Sequence, residues 1–201
     1  MATCRNRFRS ITPNLRVVGV DDGAFRVAER GNQKTLLVAV LWKNLRILSV
    51  SVGRIQVDGR DANHVLASLL RALRFDVAML SGISFGGFNL VDMEQLFRAA
   101  RRPIIAICGE KPDNRAVRKA LRSHFDDWEE RWQMVRAAGR LHWCKPVRRE
   151  PKLYFEVKGA SPDFAAKAIK ATATISRLPE PVRVARILAR ALSTSTEVSF
   201  P

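Results

Sequence analysis

The chain has few of the residues that staple small folds or hold metals. Its cysteines are Cys4, Cys108 and Cys144, an odd number at scattered spacing with no CxxC pair. That pattern is not a disulfide framework and gives no support to a structural zinc site. Free thiols fit a reducing compartment, so we expect a cytoplasmic protein. His64, His124 and His142 have no ligand spacing and no evident acid partner, and are read as structural. Long apolar runs are missing too. The longest, Leu36 to Trp42, is far short of the roughly 20 apolar residues a membrane-spanning helix needs, so no membrane partner is expected. The basic start, Met1 to Ser10, is not followed at once by an apolar stretch, which argues against a secretory signal. There is no G-x-S-x-G elbow and no HExxH. No glycine-rich loop ends in GK[ST], so no nucleotide cofactor is expected.

Acidic residues are the other shortage. Asp and Glu number 19 against 35 Lys and Arg, a net charge of +16 with a pI near 11.1. Such an excess costs folding energy through self-repulsion and attracts polyanions. Arginine greatly outnumbers lysine, and its planar fork suits phosphate oxygens. A GC-rich genome would explain arginine over lysine, but not base over acid. Nucleic acid, DNA or RNA, is therefore the expected partner. Hydrophobic residues make up 47% of the 201, enough for a proper core, and charged residues 27%. Length and the lack of any linker point to one domain, residues 14–201, behind a basic arm, residues 1–13, that carries Arg5, Arg7 and Arg9.

Hydrophobic patterning predicts the elements. Leu15 to Val20, Lys34 to Trp42 and Leu45 to Val57 read as strands, the last bent at Gly53. Arg30-Gly31-Asn32-Gln33 turns the first hairpin. Asp61 caps a helix from Ala62 to Leu73, with Leu66 and Leu70 on its apolar face. Val77 to Leu80 is a buried strand, followed by a glycine-rich stretch from Ser81 to Asn89 and a helix over Val91 to Ala100. Pro103 to Cys108 is another buried strand. A helix from Asp113 or Asn114 reaches His124. Asp126 and Glu129 form a capping box for the next, which Gly139 ends. Leu153 to Val157 reads as an edge strand. Ser161-Pro162-Asp163 opens a helix, and Val182 to Leu192 forms the last. Three strands in hairpin order, then helix–strand–helix–strand–helix, imply an α/β fold. The sheet is mixed, three antiparallel strands then parallel ones, with helices on both faces. That is the ribonuclease-H-like arrangement.

Enzymes of that class cut phosphodiesters with carboxylates at strand ends, which hold divalent ions. Asp21 and Asp22 follow the first strand and Asp58 the third. Asp61 lies three residues on, and Asp92 follows the glycine-rich loop. If the first and fourth strands are neighbours, Asp21 meets the loop that begins at Ser81. Asp-Gly pairs also form ordinary turns and Asp61 an ordinary cap, so turn chemistry competes with a metal role, most strongly at Asp22 and Asp61. Phe85 and Phe88, set among glycines, either stack on a base or pack under their own loop. Arg183, Arg186 and Arg190 share one helix face, opposite Val184, Ala185, Leu188 and Leu192. That face is either a phosphate-facing ridge or a solvated one. Lys111, after the fifth strand, is placed to meet a phosphate at the same sheet end.

Six segments together resemble a known family: LRVVGVDDGAF (15–25), IQVDGRDA (55–62), AMLSGISFGGFNLVD (78–92), EKPDN (110–114), HFDDWEER (124–131) and PEPVRVARILA (179–189). The chain is identified as a member of an uncharacterised, mostly archaeal family related to endonuclease V. The match runs nearly the whole chain after the arm. The resemblance implies a ribonuclease-H-like fold and a metal site for Mg²⁺ or Mn²⁺. In that site Asp21 matches the first-strand Asp, and Asp58 stands where the related enzymes have Glu before glycine. The third acid of the pattern opens an Asp-Gly motif, and here that position is Ser81. Arg186 stands where the family usually shows histidine, and the Pro-Tyr-Ile-Pro-like wedge is missing. A serine hydroxyl cannot balance a divalent charge. The expectation is therefore a nucleic-acid-binding protein on an endonuclease-V-like scaffold with weak or lost nuclease activity. The alternatives are an active endonuclease in which Asp92, Asp22 or Asp61 supplies the missing ligand, and a non-catalytic module that binds RNA or an acidic protein.

Overall fold

The computed structural model of the chain describes residues 14–25 and 33–195. The arm, and most of the turn expected at residues 30–33, lie outside the described residues. Nine strands and six helices are described. In chain order they are β1 (Val17–Asp22), β2 (Lys34–Lys43), β3 (Arg46–Gln56), α1 (Ala62–Arg71), β4 (Val77–Leu80), β5 (Ser84–Phe85), β6 (Asn89–Leu90), α2 (Met93–Ala100), β7 (Ile104–Cys108), α3 (Asn114–His124), α4 (Trp128–Ala137), β8 (His142–Cys144), β9 (Leu153–Lys158), α5 (Pro162–Thr172) and α6 (Glu180–Ser195). Seven strands form one mixed sheet in the order β3-β2-β1-β4-β7-β9-β8, and β5 and β6 pair as a small separate hairpin. The β1–β2 and β2–β3 pairs are antiparallel, while β1–β4 and β4–β7 are parallel. This is the mixed α/β, ribonuclease-H-like arrangement expected from the element order.

Alternation along the strands sorts the core into two faces. Val18, Val20, Ala78, Leu80, Ile104 and Ala106 pack with Leu66 and Leu70 of α1 and Leu96 of α2 on one face. Val17, Met79, Ile105 and Ile107 face the other way, onto Ala165 and Ile169 of α5. Val38 and Val40 meet Ala185 and Ala189 of α6 on that second face. Asp21 has the same parity in β1 as Val17 and Gly19, so it points toward α6. Gly19 makes the approach possible. A Cβ there would stand 2.1 Å from the backbone carbonyl of Pro181, so only glycine lets the start of α6 lie directly on β1.

Several boundaries differ from expectation, each for a local reason. Leu45 is not in a strand. Asn44 and Leu45 both adopt positive φ (50° and 61°) and form the two-residue turn between β2 and β3. The strand irregularity falls between Leu41 and Trp42 rather than at Gly53. The N-cap of α4 is Asp127, not Asp126, and its carboxylate makes no cap bond because Arg131 and Arg60 hold it instead. Leu153–Lys158 is an inner strand. Beyond it lies β8, three residues long and too short to show a periodic signal. Leu192, expected on the packed face of α6, is 41% exposed.

Candidate functional site

The carboxyl ends of the parallel strands β1, β4 and β7 define one rim of the sheet, where Asp21, Ser81 and Cys108 emerge. The parallel β1–β4 pairing brings Asp21 to Ser81, as the sequence order implied. The Ser81 hydroxyl donates to Asp21 Oδ1 at 2.5 Å. The Asp22 backbone N–H donates to the same oxygen at 2.9 Å. Arg186 of α6 donates from Nε to Asp21 Oδ2 at 2.7 Å. Asp21 is only 4% exposed, so the guanidinium neutralises a buried charge.

The other rim acids hold the loop that follows β4. Asp22 Oδ2 accepts from the backbone N–H of Gly86. Burial first, and the adjacent Asp21 carboxylate next among the raising causes, push Asp22 up to about 6. Asp58 adopts a positive φ of 57°, donates its own N–H to the Gly86 carbonyl, and accepts from the Phe88 N–H at Oδ1 at 2.8 Å. Gly87 is required at that closure, since with φ +83° a Cβ would sit 2.2 Å from Asp58 Oδ1. Asp22 and Asp58 thus meet through Gly86, beside Asp21. Asp61 takes the N-cap position of α1, but its carboxylate caps nothing in the helix. It accepts from Gln56 N–H and from Asn89 Nδ2, and Asn89 Oδ1 receives the Ala62 N–H in its place. Asp92 caps α2 by accepting from Glu94 and Gln95 N–H, and lines a separate cavity with Asn63, His64 and Glu130.

These partners decide whether a divalent ion fits. Oδ2 of Asp21 already faces a cation, and Oδ1 is shared between a hydroxyl and an amide. The ligand position after β4 is a neutral serine. Among the described residues no group of three or more His, Cys, Asp or Glu is disposed to hold a metal. Mg²⁺ and Mn²⁺ need several hard anionic oxygens, and the donor set at Asp21 does not fit them.

The aromatic candidates separate. Phe85 is fully buried in the core beneath its loop and cannot meet a base. Phe88 is half-buried, packs edge-on against Phe125 with centroids 5.6 Å apart, and reaches a cavity of about 600 Å³. Ser81, Cys108, Lys111, Arg136 and Glu156 also line that cavity, so Lys111 does stand at the rim. The three α6 arginines have different surroundings. Arg183 pairs with Glu180 and Arg186 with Asp21, while Arg190 is exposed.

Two residues escaped the sequence reading. Arg131 is 6% exposed. It donates to the carbonyls of Asp58, Gly59 and Phe88 and to Asp127, clamping the rim loops from beneath. Its signal in the sequence is only an Asp four residues earlier, a common helical pair. Glu156 faces the rim cavity from β9, and burial pushes it up to about 7. Nothing in its alternating strand singles it out.

Comparison with known proteins accords with this geometry. The family model described as endonuclease dU matches residues 13–193. A UPF0215 protein of Thermococcus gammatolerans is 38% identical over 191 residues, covering 92% of this chain and 96% of that protein. The crystal structure of an Archaeoglobus fulgidus protein of unknown function is similar at TM-score 0.78 and 28% identity, covering 89% of this chain and 98% of that one. Endonuclease V of Ciona intestinalis, in complex with a 24mer DNA containing an inosine followed by a ribo-adenosine, shares the fold at TM-score 0.58 and 14% identity. That match covers 90% of this chain and 87% of the enzyme. The chain belongs to the endonuclease dU family.

Proposed function

We propose that this protein is a nucleic-acid-binding member of its family in which metal-dependent cutting is weak or lost. In this reading Arg186 supplies, from within the chain, the positive charge that a metal would bring to Asp21. The observation that carries it is the contact of Asp21 with Arg186 on one oxygen and Ser81 on the other. A fixed guanidinium can balance a carboxylate and attract a phosphate, but it cannot generate hydroxide from water as a bound metal does. The rim then works as a binding surface. Lys111 and Arg136 offer charge, Phe88 offers an aromatic edge, and the +16 net charge draws the polyanion in. Residues 14–201 act as one domain, with the basic arm adding charge.

The test measures binding and cleavage on the same substrates. These are single-stranded and duplex nucleic acids, with deoxyuridine and inosine included because of the family description and the DNA held by the Ciona enzyme. Binding should weaken steeply between about 50 and 200 mM salt, since phosphate neutralisation releases counterions. With Mg²⁺ or Mn²⁺ the parent should cut every substrate slowly or not at all, and Ser81→Asp combined with Arg186→His should cut faster. Robust cutting by the parent that Asp21→Ala abolishes would overturn the reading.

A further inference from the structure

Away from the rim, α3 carries a cluster of cations without acid partners. Arg115, Arg118, Lys119 and Arg122 are all exposed, and among the described residues none of them ion-pairs with a carboxylate. Some arginines elsewhere are neutralised nearby: Arg60 by Asp127 and Glu130, Arg98 by Glu94, Arg131 by Asp127, Arg183 by Glu180. On α3 the guanidinium groups of Arg118 and Arg122 lie against tryptophan instead. Arg118 sits 5.8 Å from the Trp128 ring centroid and 5.9 Å from that of Trp132, and Arg122 sits 5.2 Å from Trp128. A cation over an indole face keeps its charge and loses rotamer freedom, so these groups are held in place before any ligand arrives.

The patch is continuous with the rim. Arg136 lines both the rim cavity and the groove that holds Trp128 and Trp132, and Arg118 lines both that groove and the one beside Arg115, Lys119 and Arg122. The carboxylate among these groove walls is Glu129. A basic track therefore leads from Lys111 along α3.

We propose that α3, braced by Trp128 and Trp132, is a docking surface for the phosphodiester backbone of nucleic acid, outside the rim and read without regard to base sequence. The inference rests on the nucleic-acid reading of the rim and adds where the strand goes when it leaves. Each tryptophan ring has a guanidinium group over it, so the rings brace the cations of the docking surface. Eleven helical residues span about 16 Å, against about 3.4 Å of axis per phosphate along one duplex strand, so the helix meets several phosphates at once.

The experiment measures anisotropy of labelled single-stranded and duplex oligonucleotides bound to the full chain across a salt series. One variant carries Arg115→Gln, Arg118→Gln, Lys119→Gln and Arg122→Gln. A milder one carries only Arg115→Gln and Lys119→Gln, which leaves the tryptophan contacts intact if the first fails to fold. A control carries Arg71→Gln, Arg74→Gln and Arg102→Gln, a basic cluster at the opposite rim of the sheet. The fourfold variant should bind roughly 10- to 100-fold more weakly at moderate salt, with the log–log salt slope shallower by up to about 3. The milder variant should show about half that change in slope and the control none. Slopes unchanged in both α3 variants while the parent binds would overturn the docking surface alone. Failure of the parent to bind any nucleic acid would overturn the rim reading with it. Poly-glutamate competing as well as an oligonucleotide of equal charge would overturn the assignment to phosphodiesters.

Discussion

Asp21 is an acid that the fold removes almost wholly from water, and its partners decide what the rim can do. Removing one partner of a buried pair leaves a charge with nothing to replace its hydration, at a cost of about 3–5 kcal/mol. Arg186 prevents that, and Ser81 and the Asp22 amide complete the set. Arg131 shows the same logic for carbonyls: one fork satisfies three backbone oxygens and one carboxylate, which lysine could not reproduce. Glu156 is the contrary case. Burial raises it to about 7 from 4.5, so the folded state binds its proton more tightly than the unfolded chain does. Its sign is therefore opposite to that of a salt-bridged acid. Below the unfolded value both states are protonated. From there to about pH 7 stability falls, and above it the loss is complete. Replacing Glu156 with glutamine should remove this dependence. Denaturant titrations should find Glu156→Gln gaining on the parent between about pH 5 and pH 8, by about 1–3 kcal/mol. A constant gap across that range would sink the point.

The contact between α6 and β1 is what turns the last helix into part of the site. Glycine at position 19 admits the Pro181 backbone, and that approach lets Arg186, about a turn and a half later, reach Asp21. Gly19→Ala should push the helix away and destabilise the protein by about 2–3 kcal/mol. Because the shift also separates Arg186 from Asp21, Asp21→Asn should cost less stability in the Gly19→Ala background than in the parent. Purely additive losses would contradict that coupling. Most of this architecture was legible beforehand. Alternation and 3.6-residue periodicity give β1, β2, β4, β7 and most helices to within a few residues, and the hairpin-then-crossover order implies the sheet. What stayed hidden depends on distant partners. A three-residue strand such as β8 has no period to detect. The role of Asp61 changes because Asn89, 28 residues on, takes over its cap. The departure at Arg186 was visible, but that it lands on Asp21, 165 residues away, was not.

Over the whole molecule the same preference recurs. A chain with net charge +16 surrounds its rim with a potential that favours polyanions and opposes small cations. A divalent ion would have to overcome that field and displace Arg186 from Asp21, with serine where a third carboxylate would help hold it. The family model is described as endonuclease dU and the fold is shared with endonuclease V, while the reading proposed for the charge and the rim contacts is a phosphate ligand rather than a metal. Calorimetric titration of Mn²⁺ into the full chain puts this most directly, with Asp21→Ala and the Ser81→Asp, Arg186→His double variant alongside. The expected result is no saturable binding by the parent and clear binding by the double variant. Saturable binding by the parent that disappears in Asp21→Ala would contradict the account.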